Sequence, residues 1–176
     1  MKVFEAGPRA ISILNNEVRD RLKNIIDNNF TIIVGDANGV DKQIQNLCHS
    51  FNYNNVIVYA SNGKARNNIG KWNVEKMEVG GNIKGFDFYA AKDLEMAKAA
   101  DYGFMIWNGK SKGTFKNIVN LIKYNKKILL YFVPEKKFYT INSLSDINEL
   151  INKCDDENKR IYQESMNYPE QLSLNI

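Results

Sequence analysis

Residues 30–41 read FTIIVGDANGVD, and this stretch decides the fold class. Phe30 to Val34 is an apolar run of strand length broken only by Thr31 and rich in β-branched residues, which reads as a strand buried on both faces. The glycine turn GDANG follows, and then Val40, Ile44, Leu47 and Cys48 recur at three- and four-residue steps, as on one face of a helix. A doubly buried strand leading through a short turn into an amphipathic helix is half of a parallel crossover unit. Reading outward, the unit repeats. Lys2 to Ala6 predicts a first strand, with a helix over about 15–28 carrying Val18, Leu22, Ile25 and Ile26 inward and Asn15 as its N-cap. Val56 to Ala60 predicts a third strand and Tyr102 to Trp107 a fourth, the latter delivered by the alanine-rich helix YAAKDLEMAKAAD (89–101). A helix over about 114–124 leads to a fifth strand at Lys127 to Val133, which Pro134 ends. The pattern therefore predicts an α/β domain over residues 1–133. It has three layers, with a mainly parallel five-stranded sheet flanked by helices. Residues 134–176 are expected to form a helical extension and tail, with a helix from Leu144 to Cys154 that runs on toward Met166. Between Ser61 and Phe88 the pattern weakens into a polar, glycine-bearing loop, a length that favours a functional segment.

Composition narrows the function classes. The 176 residues fit one core, and 25% charged residues against 44% hydrophobic ones match a globular domain. The 24 basic and 20 acidic side chains leave a net charge of +4 without a dense basic run, and the aromatics do not interleave with a basic face. Nucleic acid is therefore not expected as a partner. Cys48 and Cys154 form no paired motif, no apolar run reaches membrane length, and no leader is visible, so a cytoplasmic protein without membrane contact is expected. His49 is the sole histidine, so neither a Ser-His-Asp triad nor a multi-histidine metal site has its parts. No metal or cofactor is implied.

In such a sheet, ligands gather beyond the carboxyl ends of the strands, where turns meet helix N-termini. Four turns qualify. The first carries Gly7 and Arg9; the second Gly35, Asp36, Gly39 and Asp41; the third Gly63, Arg66 and Asn67; the fourth Gly109, Lys110, Ser111, Gly113 and Thr114. In the fourth, the glycines leave backbone N–H groups open to a phosphate and Thr114 adds a hydroxyl, although a strand-to-helix turn also uses glycine for its backbone angles alone. The loop is neither a Walker A sequence nor a dinucleotide fingerprint. Asp36 and Asp41 can accept from a ribose hydroxyl or a base amino group, and Asp41 can instead cap its helix. Arg9 and Arg66 are candidate guanidinium clamps for phosphate. Trp107, with Trp72 beside it in candidacy, can stack on a base or pack in the core. Asp93 is read as a solvated helical residue.

The motifs AGPR, GDANGVD, KDLEMAKAAD and IWNGKSKGT together resemble the SLOG superfamily of Rossmann-like nucleotide-binding proteins, over about residues 1–133. The match is closest to a small bacterial branch with GDAxGxD and W-[DN]-GKSxGT turns. The superfamily includes the LOG-type phosphoribohydrolases, the DNA-uptake protein DprA and sensor domains for NAD-derived nucleotides, so the resemblance implies a nucleotide-type ligand. In the LOG enzymes a glutamate follows the Gly-Thr pair; aligned on Gly113-Thr114, that position is Asn117. Without the carboxylate, the expected role is binding or sensing of a phosphorylated nucleoside or ADP-ribose-type compound. An N-glycosidic hydrolase or transferase using a substitute carboxylate (Asp36, Asp41, Asp87 or Asp93) is the alternative, and a DprA-like single-strand DNA binder or interaction module the third. The expected partners are a small phosphorylated nucleotide and a second copy of the chain, since related domains often pair.

Overall fold

The computed structural model describes residues 1–61, 64–77 and 86–167. Its elements in chain order are β1 (Lys2–Ala6), α1 (Asn16–Asp27), β2 (Thr31–Gly35), α2 (Val40–Ser50), β3 (Val56–Ser61), β4 (Asn73–Met77), α3 (Phe86–Ala99), β5 (Tyr102–Trp107), α4 (Lys112–Lys123), β6 (Lys127–Phe132), β7 (Lys137–Ile141), α5 (Leu144–Ile151) and α6 (Asp156–Asn167). The seven strands form one sheet in the order β4-β3-β2-β1-β5-β6-β7. Among the described residues only the β6–β7 pairing is antiparallel.

The doubly buried strands are where the apolar runs placed them. Val34 on β2 and Val3 on β1 pack with Val18 and Leu22 of α1 and Ile44 of α2, while Ile33 and Phe4 turn to the opposite face with Ile118 of α4 and Met96 of α3. Asn15 caps α1 by accepting from the Val18 N–H at 2.9 Å. Residues 134–167 do more than extend the domain: β7 adds to the sheet edge, and Ile147, Leu150 and Tyr162 from α5 and α6 join the core cluster of α3 and α4. The helix expected from Leu144 breaks after Ile151, and Asp155 restarts it by accepting from the Asn158 N–H at 3.0 Å.

Two strands beyond the expected five, β4 and β7, lie at the two edges of the sheet. Asn73–Met77 falls within the stretch expected as loop; its run NVEKM is polar because an edge strand leaves much of its surface to solvent. The expected tail at 168–176, Gly63, and the side chain of Asp87 lie outside the described residues.

The order of the sheet fixes where ligands can go. Chain order runs outward one way from β1 through β2 to β4, and the other way from β5 to β7. The β1–β5 boundary is thus a topological switch point, where the following helices pack on opposite faces and leave a crevice at the strand carboxyl ends.

Candidate functional site

A cavity of about 640 Å³ opens at that switch point. Gly7, Pro8, Arg9 and Ala10 line it from the turn after β1, and Ala37 and Asp41 from the turn and first residues after β2. Arg66 reaches it from beyond β3, Lys92 and Asp93 from α3, and Asn108, Lys110, Ser111, Gly113, Thr114 and Asn117 from the turn after β5 and the start of α4.

The turns are built to hold one another. Gly39 adopts φ +80°, and a Cβ there would come within 2.4 Å of the Arg9 carbonyl oxygen, so the GDANG turn lies directly against the backbone of the first turn. The Pro8 carbonyl accepts from the Val40 N–H at 3.2 Å, tying the same two turns by a hydrogen bond. Gln45, fully buried on α2, donates to the carbonyls of Gly35 (3.0 Å) and Asn67 (3.2 Å) and accepts from the Ile69 N–H (3.1 Å), which pins the third turn to the second. Asn67 adds bonds to the Asp36 carbonyl and the Asn38 side chain.

At the fourth turn, the Asn108 carboxamide accepts from the N–H groups of Lys110 and Ser111, and Ser111 caps α4 by accepting from the Thr114 N–H and hydroxyl. The N1 and N2 amides of α4, those of Lys112 and Gly113, have no intrahelical carbonyl to bond. The first turn of this helix holds no acidic residue, and a Cβ at Gly113 would meet nothing within 4 Å. One turn further, Asn117 is buried and its Oδ1 is without a hydrogen-bond partner. The open helix N-terminus and the nearby cations form a cradle suited to an anion, while the unpartnered Asn117 oxygen beside it can accept from a donor group of the same ligand.

Acidic and basic side chains interlock at the cavity wall. Asp36 is buried and accepts from the Arg66 backbone N–H (3.0 Å), from Arg66 Nε (3.1 Å) and Nη2 (2.8 Å), and from Lys92 Nζ (3.1 Å). Burial alone would raise the Asp36 carboxyl; the hydrogen bonds from Arg66 and the charge of Lys92 outweigh it and hold the group well below the usual carboxylate range. Asp41 behaves oppositely. Burial pushes its carboxyl up to about 7, with the neighbouring charges of Asp93 and Asp36 adding to the rise against the pull of Lys92. Burial likewise pushes Asp93 up to about 6, opposed by Lys92, Lys116 and Arg9.

Of the candidate site residues, the structure brings Gly7, Arg9, Asp41, Arg66, Ser111, Gly113 and Thr114 to one cavity wall. Gly35, Asp36, Gly39 and Asn67 stand behind it as supports. Asp36 is already committed to two cations, so a ribose contact through its carboxylate would compete with them. Asp41 accepts from the Ala37 N–H at 3.2 Å, closing its own turn. Gly109, at φ +75°, faces Cys154 and Phe132 and not the cavity. Trp107 is fully buried among Phe115, Phe132 and Tyr162, and Trp72 is buried with its Nε1 donating to the Tyr53 carbonyl, so neither ring is placed to stack on a base.

Lys92 was missed, and Asp93, read as a solvated helical residue, is half-buried and lines the cavity. A signal was present: Lys92, Met96 and Ala100 share an i, i+4, i+8 stripe, and all three are buried. A lysine on a stripe otherwise apolar is buried only if paired. Among the described residues no cluster of three or more metal-ligating side chains occurs, and no helix is long and apolar enough to cross a membrane.

No protein-family model matches the chain, and no curated protein matches its sequence. Among solved structures, the chain is similar to DNA processing protein A from Helicobacter pylori, described for its single-stranded DNA binding mode. The two share 17% identity with a TM-score of 0.58, over 87% of this chain and 72% of that one. The fold is therefore Rossmann-like and similar to that of DprA. This likeness corrects the expectation about partners. Excluding nucleic acid on the mild net charge does not hold for a fold shared with a single-stranded DNA-binding protein. The physical reason is that net charge averages over the surface, whereas Arg9, Arg66, Lys92 and Lys110 are gathered at one cavity. The small-nucleotide partner and self-association expected with it receive no support from the likeness.

Proposed function

We propose that the cavity holds a phosphate-bearing unit of single-stranded nucleic acid, with one backbone phosphate at the N-terminus of α4. The observation that carries this reading is the open approach at Gly113. That residue lies on the first turn of a helix aimed at a cavity with four cationic side chains, and its missing side chain serves no packing need of the protein itself. The likeness to a DNA-processing protein supports the class of ligand. In this reading the Lys112 and Gly113 N–H groups and Lys110 receive the phosphate, the Asn117 Oδ1 accepts from a donor group of the nucleotide, and Arg9 guides the strand across the opposite lip.

Fluorescence anisotropy with a labelled octathymidylate tests it. Saturable binding is expected, weakening with added salt as counterions are released. Gly113→Val places a branched side chain in the approach path without a clash inside the protein. It should therefore weaken binding by about tenfold or more while shifting stability by only about 0.5–1 kcal/mol. Undiminished affinity would remove the cradle from the reading. Thymidine 5′-phosphate binding as tightly as the octamer would show that no strand is being recognised.

A further inference from the structure

Among the described residues, Glu5, Asn117, Asn120 and Tyr162 are buried with a side-chain nitrogen or oxygen that has no hydrogen-bond partner. Of these four, Asn117 alone lines the cavity. It is 6% exposed, and its orphan atom is Oδ1, an acceptor. A buried acceptor left unmade costs free energy, which a ligand recovers by placing a donor there. The position of Asn117 on α4 says which part of a ligand can do so. Residues four apart on a helix share a face, and their side chains lean toward its N-terminus. Asn117 therefore stands on the face of Gly113, where the space that a Cβ would take is open. It lies one turn, about 5.4 Å, into the cavity from the amides that receive the phosphate.

The other acceptors of the cavity wall have partners. Asn108 Oδ1 takes the Lys110 and Ser111 N–H groups, Asp41 takes the Ala37 N–H, the Ser111 and Thr114 hydroxyls are bonded to each other, and Asp93 faces Lys92, Lys116 and Arg9. No aromatic side chain is among the described residues that line the cavity, so the wall offers a base no ring to stack on. A wall of this kind suits the sugar and phosphate of a strand with the base turned away.

We infer that Asn117 reads the sugar: its Oδ1 accepts the hydrogen of a ribose 2′-hydroxyl, so that the cavity takes single-stranded RNA in preference to single-stranded DNA. The inference rests on the function proposed above and names the strand which that site prefers. The phosphate, ester and ring oxygens of a strand are acceptors and cannot meet another acceptor. Within a strand the 2′-hydroxyl is the sugar's one donor, and DNA lacks it. It sits on the carbon next to the one that bears the 3′-phosphate, whereas the N–H donors of a base lie across the ring from the sugar. Opposite a deoxyribose, Asn117 Oδ1 stays buried and unmade, and the difference between the two strands falls on that hydrogen bond.

Competition against labelled octathymidylate tests it with three unlabelled octamers of uridine that differ only at the 2′ position, which carries hydroxyl, hydrogen or fluorine. Fluorine keeps the pucker of a ribose but has no hydrogen to donate. The intact protein should bind the hydroxyl octamer about fivefold or more tighter than the other two. Asn117→Leu, which removes the acceptor at similar volume, should bind the hydroxyl and hydrogen octamers equally. Equal affinity for those two in the intact protein overturns the inference while leaving the proposed function standing. A preference that persists in Asn117→Leu also overturns it, since another group would then be reading the sugar. A fluorine octamer that binds as tightly as the hydroxyl one overturns it on the intact protein alone, because the preference would then follow the pucker; this comparison decides the matter even if the variant fails to fold. Failure of every octamer to bind overturns the proposed function and this inference together.

Discussion

Asp36 should matter more to the fold than Lys92, although the two form one ion pair. Asp36→Asn removes the charge that Lys92 faces at 3.1 Å and on which both guanidinium contacts and the Arg66 backbone N–H also end. Lys92 is 4% exposed. Its ammonium would then sit in the interior opposite a neutral amide, and breaking a buried pair in this way costs about 3–5 kcal/mol. Lys92→Met, by contrast, replaces a buried cation with an apolar chain of similar length and leaves Asp36 its hydrogen bonds to Arg66. The loss there should be about 1–2 kcal/mol. Urea unfolding at neutral pH measures both through the midpoint, with an unchanged slope confirming that the unfolding reaction is the same. The double variant should be more stable than Asp36→Asn alone, because the stranded charge is gone. The pH dependence follows from the depressed Asp36 carboxyl. Its contribution is complete above the unfolded carboxyl's value near ~3.9 and is lost as pH falls toward the folded value, so the gap between native and Asp36→Asn should narrow below about pH 4. A Lys92→Met protein as unstable as Asp36→Asn, or a double variant weaker than both, would refute the assignment of Asp36 as the hub.

Other outcomes follow from single residues. Gly39→Ala forces a Cβ into the Arg9 backbone at positive φ, so it should lower stability by at least about 1–3 kcal/mol and weaken strand binding with it, read by thermal unfolding and anisotropy together. Glu5 is fully buried on β1 with neither carboxylate oxygen hydrogen-bonded, and burial raises its carboxyl well above the ordinary value. The folded protein therefore holds this proton more tightly than the unfolded chain, and Glu5 weakens the fold as pH rises from the unfolded value through the raised one. Glu5→Leu should stabilise by about 1–3 kcal/mol near pH 8 and by less near pH 5, measured by urea midpoints at both. Gln45→Leu removes the three bonds that pin the third turn; amide exchange at Ile69 should accelerate before the sheet amides do, with a global loss of about 1–3 kcal/mol.

The central strands were legible because burial on both faces selects mostly apolar residues, as at Ile32–Val34 and Phe104–Trp107, with Glu5 on β1 the buried polar exception. The turns after them were legible because glycine marks where backbone must pass close to backbone, as Gly39 does against Arg9. Those local constraints are written in neighbouring residues, and so were the expectation of an α/β sheet and the placing of candidate sites at its turns.

Tertiary structure decided the rest. Whether Trp107 faces a crevice or a core depends on Tyr162, which arrives from α6 with its ring centroid 5.4 Å away. Whether Asp36 is available to a ligand depends on Arg66 and Lys92, 30 and 56 residues along the chain. The edge strands β4 and β7 exist because a neighbouring strand offers its unpaired N–H and C=O groups, which is a property of the partner and not of the polar run NVEKM itself. Sequence fixes what a residue can do within a few positions of itself. Charge, burial and availability are set by which distant groups the fold brings within a few ångströms, because electrostatic and desolvation energies depend on distance through space and not along the chain.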